Sequence, residues 1–201
     1  MHEAINPLAI TIRPAAAEDA EGITRTYMES SEHHARLDPE RYRVPEVDAI
    51  AARYRERGSA SFESKESATG GPSFPTEARS AGQPMPGITL VAEIADPLKQ
   101  EKPGQGTQTE IVGFVDVELY RSPDPMLREF LYCHVMEIAV NSRYQSQGIG
   151  ERLLRAAEEW GRQQGAEFAL LEYLTANTRA GEFYQRRMGY RVAAMMAVKR
   201  L

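Results

Sequence analysis

Glu137-Ile-Ala-Val-Asn-Ser-Arg-Tyr-Gln145-Ser-Gln-Gly148-Ile-Gly150, running straight on into Glu151–Gln164, decides the reading of this chain. An apolar stretch ends at Val140, a short polar turn comes next, and a helix-forming run opens on two glycines. A helix N-terminus carries unpaired backbone N–H groups and the positive end of the helix dipole. Glycine lets that backbone approach a ligand closely, because no Cβ stands in the way. The combination makes an anion site suited to a pyrophosphate.

The kind of pyrophosphate is narrowed by what the stretch lacks. A dinucleotide fingerprint needs G-x-G-x-x-G, and its third glycine position is Leu153 here. Glu172 stands at roughly the offset of a ribose-binding acid, but too few residues come after it to complete a dinucleotide-binding sheet. The sequence contains no G-x-x-x-x-G-K-S/T run for a mononucleotide P-loop. What stands is Gln145-x-x-Gly148-x-Gly150 behind a strand. A second block lies downstream, Asn177-Thr-Arg-Ala180-Gly-Glu-Phe183-Tyr184-Gln-Arg-Arg-Met-Gly189-Tyr190.

Composition narrows the field. With 201 residues the chain is long enough for one domain with a real core, spanning 1–201. A formal net charge of −5 gives a nucleic-acid partner no electrostatic support. The sequence has no apolar run of about eighteen residues, so no membrane span is expected, and Met1–Pro7 lacks a signal-peptide pattern. The single cysteine, Cys133, excludes an internal disulfide framework and a Cys-rich metal site; its simplest role is a small buried apolar residue. A soluble cytoplasmic protein is the expectation.

Outward from the glycines, periodicity predicts the other elements. Leu8–Pro14 alternates as a strand. Glu18–Leu37 is a helix with Ile23, Tyr27 and Met28 at helical spacing, and Pro45–Arg57 is a second one, with Val47, Ile50, Ala51 and Tyr54 on one stripe. Gly58–Gly87 is rich in Ser, Gly, Pro, Glu and Ala and reads as a flexible or disordered loop, either a solvated insertion or a lid. Ile88–Ala95 and Glu110–Tyr120 form a hairpin around a polar loop at Lys99–Thr109, and Arg121–Arg128 is another loop. Phe130–Val140 is a central buried strand. Gly148–Gln164 is an amphipathic helix through Ile149, Leu153, Ala156, Ala157 and Trp160, stopped by Gly165. Phe168–Leu174 is a buried strand, Thr178–Met188 a short helix, and Tyr190–Leu201 a final strand.

Several side chains invite chemistry. Glu137 is an acid in an otherwise apolar strand, where a carboxylate needs a partner or a raised pKa. It is a candidate general base, acting directly or through water; the structural alternative is a carboxylate held by a neighbouring Arg or Tyr. Asp116 and Glu118 share a strand face, and either suits a base or an attractor of a cationic acceptor. His134 alternates to the face opposite Glu137 unless a bulge intervenes. His33 and His34 point about 100° apart on a helix and make a poor metal pair; no metal is expected. Asn177 suits a helix N-cap.

The two blocks, in this order and spacing, resemble the Q/R-x-x-G-x-G/A and N-x-x-A-x-x-F-Y-x-x-x-G-F/Y segments of the GCN5-related N-acetyltransferases (GNAT). The resemblance is strong over about 111–201, weaker over 9–57 and absent between. It implies an α/β (α+β) GNAT fold: a mixed central sheet with helices on both faces, splayed between two parallel strands to admit acetyl-CoA. It implies that Gln145, Ser146, Gln147, Gly148, Ile149 and Gly150 hold the pyrophosphate, and that the backbone of Ile138, Ala139 and Val140 pairs with the pantetheine arm. Asn177 is then a contact to that arm, and Tyr184 the general acid near the coenzyme A sulfur. The run Glu32–Arg43 would line the acceptor cleft. The implied activity is direct acetyl transfer to a primary amine, of a small molecule or of a peptide or protein, in a ternary complex; a homodimer is common for such folds. The alternative from another class is a coenzyme-A-binding module without turnover.

Overall fold

The computed structural model describes residues 10–58, 62, 63, 85–95, 109–122, 126 and 128–199. Its frame is a sheet in the order β1 (Ile10–Pro14), β3 (Pro86–Ala95), β4 (Thr109–Arg121), β5 (Leu131–Val140), β6 (Phe168–Leu171), with the short β2 (Phe62–Glu63) beside β3. All pairings are antiparallel except β5 with β6, which is parallel. The sheet is therefore mixed, as the sequence predicts.

Strand alternation divides the core into two layers. Phe114, Val91, Ile111 and Ala139 face α1 (Ala20–Leu37) and α2 (Val47–Arg57), where they meet Ile23, Ile50 and Tyr54. Val115, Val117, Cys133 and Val135 face α3 (Ile149–Gln163), which inserts Ile149, Leu153, Leu154 and Ala157. Ile23, Tyr54, Phe114, Leu153 and Leu154 are fully enclosed, and each large apolar side chain so buried contributes about 1.5–3 kcal/mol. The approach of α3 to β5 is close enough that a Cβ at Gly161 would lie 2.5 Å from Cys133 Sγ. Among the described residues no helix is long and apolar enough to cross a membrane.

Several expectations are corrected. Val47 is exposed and leaves the stripe of Ile50, Ala51 and Tyr54, because it occupies the first position of α2, beyond the sheet's reach. Phe168–Leu174 is not a buried strand: β6 stops at Leu171, pairs among the described residues with β5 alone, and exposes Phe168 and Leu170. The expected final strand over Tyr190–Leu201 does not form; 191–199 carries neither helix nor strand and is exposed throughout, and the last two residues lie outside the described set. Its Ala-Ala-Met-Met-Ala centre has weak strand preference, and among the described residues no strand pairs with it. Phe62–Glu63 pairs with Gly87 and Pro86 inside the span read as a loop. The rest of that insertion, the hairpin loop and the start of the first strand lie largely outside the described residues.

Two irregularities shape the open end of the sheet. On β5, Asp116 pairs with Glu137 but Val117 pairs with Val135, so Met136 is an extra residue. The last helix begins as α4 (Thr178–Glu182) and widens into a π-helical turn over Phe183–Arg187, closed by Met188 N–H to the Phe183 carbonyl.

Candidate active site

The parallel pairing of β5 with β6 covers Tyr132–Phe168 to Val135–Leu171 and goes no further. Beyond it, 137–140 keep their β4 partners, and among the described residues no strand pairs with their other side. The sheet opens there, and the open edge leads straight into the glycine turn. Asn141 caps a one-turn 3-10 helix at Ser142–Tyr144, its side chain accepting from Arg143 N–H. Ser146 then takes φ +64° and Gly148 φ +81°, and α3 starts at Ile149. A Cβ on Gly148 would touch nothing within 4 Å; glycine is needed there for the left-handed backbone. Gly150 has only ordinary contacts awaiting a Cβ, 3.7 Å from Phe183 and 3.8 Å from Val140.

Side chains brace this turn. Gln145 Nε2 donates to the Val140 carbonyl at 3.0 Å. Arg179 on α4 donates to Gln145 Oε1 (3.0 Å) and Ser146 Oγ (2.9 Å). Arg187 on the π turn donates to Glu151 at 2.6 Å. Glu29 on α1 accepts from Asn141 Nδ2 (2.9 Å) and Ser142 N–H (2.8 Å). The two sequence blocks are thus one structural unit, with α1 pinned to its edge.

Glu137 lies on the open stretch of β5. Its carboxyl keeps some surface on the cleft but is crowded by protein, and burial, followed by the nearby Asp116 charge, raises it to about 7 from the ordinary 4.5. Ser30 on α1 opposes this by donating to Oε1 at 3.1 Å. Behind Ser30, His34 Nδ1 sits 3.0 Å from the Ser30 carbonyl; a carbonyl only accepts, so Nδ1 carries the proton. The His34 ring stacks on Tyr42 at 5.4 Å, and burial lowers its pKa, favouring the neutral ring. Tyr184, on the π turn, is buried among Tyr173, Phe183 and Tyr190. Burial, with the Glu137 charge, raises its phenol well above the ordinary value, so it keeps its proton.

The other candidates are placed elsewhere. Asp116 is fully buried and accepts from Thr89, from Tyr54 OH (3.1 Å), from Arg57 (2.6 Å) and, at longer range, from Arg53 (3.4 Å). Arg57 also grips Glu118, which accepts from Tyr120 OH at 2.7 Å. Both carboxylates are therefore neutralised by α2, as buried charge requires, and neither is available as a base. The extra residue at Met136 puts His134, opposite Glu118, on the same face as Glu137, opposite Asp116. Simple alternation fails there. Asn177 Oδ1 accepts from Ala180 N–H at 3.2 Å and caps α4. His33 and His34 rings lie 6.2 Å apart, and among the described residues no three metal-ligating side chains converge. Ser30, Glu29 and Arg179 escape the sequence reading: a lone polar residue on a helix carries no signal of the partner it meets.

An opened parallel strand pair, a glycine turn at a helix N-terminus, a carboxyl raised to about 7 and a protonated phenol thus lie at one end of the sheet. Residues 102–190 match the family model described as the acetyltransferase (GNAT) family. Among curated proteins nothing matches the chain. Among solved structures, a mutant of the BH1408 protein from Bacillus halodurans superposes with TM-score 0.68 at 18% identity, covering 95% of this chain and 99% of that one. The aminoglycoside N-acetyltransferase AAC(6')-Iy in complex with CoA gives 0.56 at 15% identity, covering 96% and 94%. An aminoglycoside acetyltransferase from an uncultured soil metagenomic sample, in complex with sisomicin, gives 0.52 at 15%, covering 96% and 95%. At these identities the likeness is one of fold.

Proposed function

We propose that this protein is an acetyl-CoA-dependent N-acetyltransferase that transfers the acetyl group directly to a primary amine. The observation that carries the reading is the open edge of β5 at 136–140, bearing Glu137 and ending in the Gln145–Gly150 turn. The amides of Gln145, Ser146, Gln147, Gly148, Ile149 and Gly150 hold the pyrophosphate at the helix N-terminus. The backbone of Ile138, Ala139 and Val140 takes the pantetheine arm as an added strand, and Asn177 contacts the same arm beside its capping role.

An alkylamine is mostly protonated at neutral pH, so a proton must leave before attack. Glu137, titrating near 7, removes it directly or through one water. The amine nitrogen then bonds to the thioester carbonyl carbon, and an N–H of the 138–140 stretch meets the charge that forms on oxygen. As the carbon–sulfur bond breaks, Tyr184 gives its proton to the sulfur and later regains one from solvent. Tyr27, Ser30 and Tyr42 are gathered about Glu137, with the Arg53 guanidinium also near it; this aromatic surface with its carboxyl is our reading of the acceptor side, for a small amine. The aminoglycoside acetyltransferases of like fold support such an acceptor.

The test is release of coenzyme A thiol from acetyl-CoA against amines, amino acids, polyamines, aminoglycosides and peptides. Acceptor-dependent release with an acetyl mass gain is expected. Acetyl-CoA binding with no release against any acceptor class would favour a binding module.

A further inference from the structure

Asp116 on β4 and Glu137 on β5 are opposite residues of one antiparallel pair. Their side chains share the face on which Phe114 and Ala139, two positions away, meet α1 and α2. Ser30 reaches Glu137 from α1, and Arg53 reaches Asp116 from α2. Arg53 is the loosely held member of this cluster. Asp116 Oδ2 already accepts from Arg57 at 2.6 Å and from Tyr54 OH at 3.1 Å; the Arg53 Nη2 contact to the same oxygen is longer, 3.4 Å. Arg53 Nε is buried and meets no hydrogen-bond acceptor among the described residues. A donor left so is costly and calls for an explanation. The guanidinium is nonetheless held in place. Its carbon lies 5.3 Å from the centre of the Tyr54 ring, and Tyr27, 6.1 Å from Tyr54 ring to ring, is within its reach. The side chain keeps 23% of its surface exposed, so a ligand can meet it.

Arg53 and Glu137 feel each other's charge yet form no direct ion pair. Glu137 takes its hydrogen bond from Ser30, and the ion pair of Arg53 is with Asp116. A cation and a carboxyl thus stand near each other, unjoined, between α1, α2 and the open stretch of β5. A bare cationic amine meets repulsion from Arg53, whereas a molecule carrying both an amine and a carboxylate matches both groups. We propose, on the transfer reading given above, that the acceptor is an amino acid, its nitrogen facing Glu137 and its carboxylate held by the Arg53 guanidinium. Arginine offers its N–H groups as a planar fork that fits a carboxylate, and the unpartnered Nε–H is one tine of that fork. Arg57 keeps its short bond to Asp116, so the buried carboxylate is not stranded when Arg53 turns to a ligand.

The experiment measures thiol release from acetyl-CoA with glycine and L-phenylalanine against glycinamide and L-phenylalaninamide. The amide's amine is the weaker base, so ionisation alone favours the amide, and a preference for the amino acid has to come from its carboxylate. The amino acids are expected to exceed the amides in kcat/KM by about 10- to 100-fold. Arg53→Gln should bring the two classes within a few-fold of each other, chiefly by raising KM for the amino acids, and Arg53→Lys should keep part of the preference. Amides as good as amino acids in the natural protein, or an undiminished preference in folded Arg53→Gln, overturns the proposal. If no acceptor at all releases thiol, it is the transfer reading that fails. Calorimetric titration of the same four compounds into the coenzyme-A-saturated protein then decides for Arg53 without turnover. Amino acids bound about 10- to 100-fold more tightly than amides, with the difference lost in Arg53→Gln, upholds the carboxylate site; equal binding, or no binding, refutes it.

Discussion

Ser30 on α1 and Glu137 on β5, 107 residues apart in the chain, are joined by a 3.1 Å hydrogen bond in which the hydroxyl donates to Oε1. Such a bond favours the ionised carboxylate, against burial that favours the acid. The balance, near 7, fixes the pH at which Glu137 loses its proton and, on the proposed mechanism, can serve as the base. The rate at subsaturating acceptor should rise about tenfold per pH unit below 7 and level off above it. Ser30→Ala should move that inflection upward. A pH–rate profile unchanged by this substitution would detach Ser30 from the base.

Glu137→Gln should lower kcat at pH 7 by about 10²–10⁴-fold, with acetyl-CoA affinity kept. The same substitution should stabilise the fold in alkali. A carboxyl raised from 4.5 to about 7 binds more protons in the native than in the unfolded state across that window, so its contribution to stability falls as pH rises through it. At pH 8 Glu137→Gln should exceed the natural protein by about 1–3 kcal/mol, and below pH 4.5 the gain should vanish. Denaturant midpoints at the two pH values check the sign.

Tyr184→Phe should reduce kcat by about 10²-fold or more while leaving KM for acetyl-CoA within a few-fold. The loss should shrink for acyl donors whose leaving thiol is more acidic, since these need less protonation. Equal loss with every donor would point to packing among Tyr173, Phe183 and Tyr190 instead.

Gly148→Ala meets open space but the wrong backbone, at φ +81°. It should destabilise the protein by about 1 kcal/mol and weaken acetyl-CoA binding more than tenfold by distorting the turn. Calorimetric titration with coenzyme A reads the second effect separately from the first.

Asp116→Ala should cost about 3–5 kcal/mol, because it removes the fully buried carboxylate that Arg53, Arg57, Tyr54 and Thr89 share. It should also lower the pH–rate inflection, since the Asp116 charge helps raise Glu137. A downward move in the folded variant is the checkable outcome.

The glycine turn, the amphipathic face of α3 and the hairpin strands β3 and β4 are legible in the sequence because each is a local pattern. Glu137 stands out for the same reason, as an acid among apolar neighbours. What pairs with it does not: Ser30 sits on a helix whose polar residues look alike until the fold sets one against β5. The fate of Asp116 and Glu118 likewise depends on Arg53 and Arg57, which lie on another element. His134 is misplaced by alternation because a bulge is a mismatch between two strands and leaves no mark in either alone. The final strand fails since apolar content says a segment can pair, not that an edge within its own chain receives it.

The surplus residue at Met136 has a wider meaning. It lies one position beyond the last pair shared by β5 and β6, and a bulge bends and overtwists the strand that carries it. The opening between the strands is therefore a misfit of one residue written into chain length, rather than a gap a ligand must prise apart. Shortening β5 by deleting Met136 would leave Glu137 opposite Asp116 and yet let the ladder run straight on. The sheet would then be free to zip closed over the place where a cofactor should lie, with every candidate catalytic side chain still present.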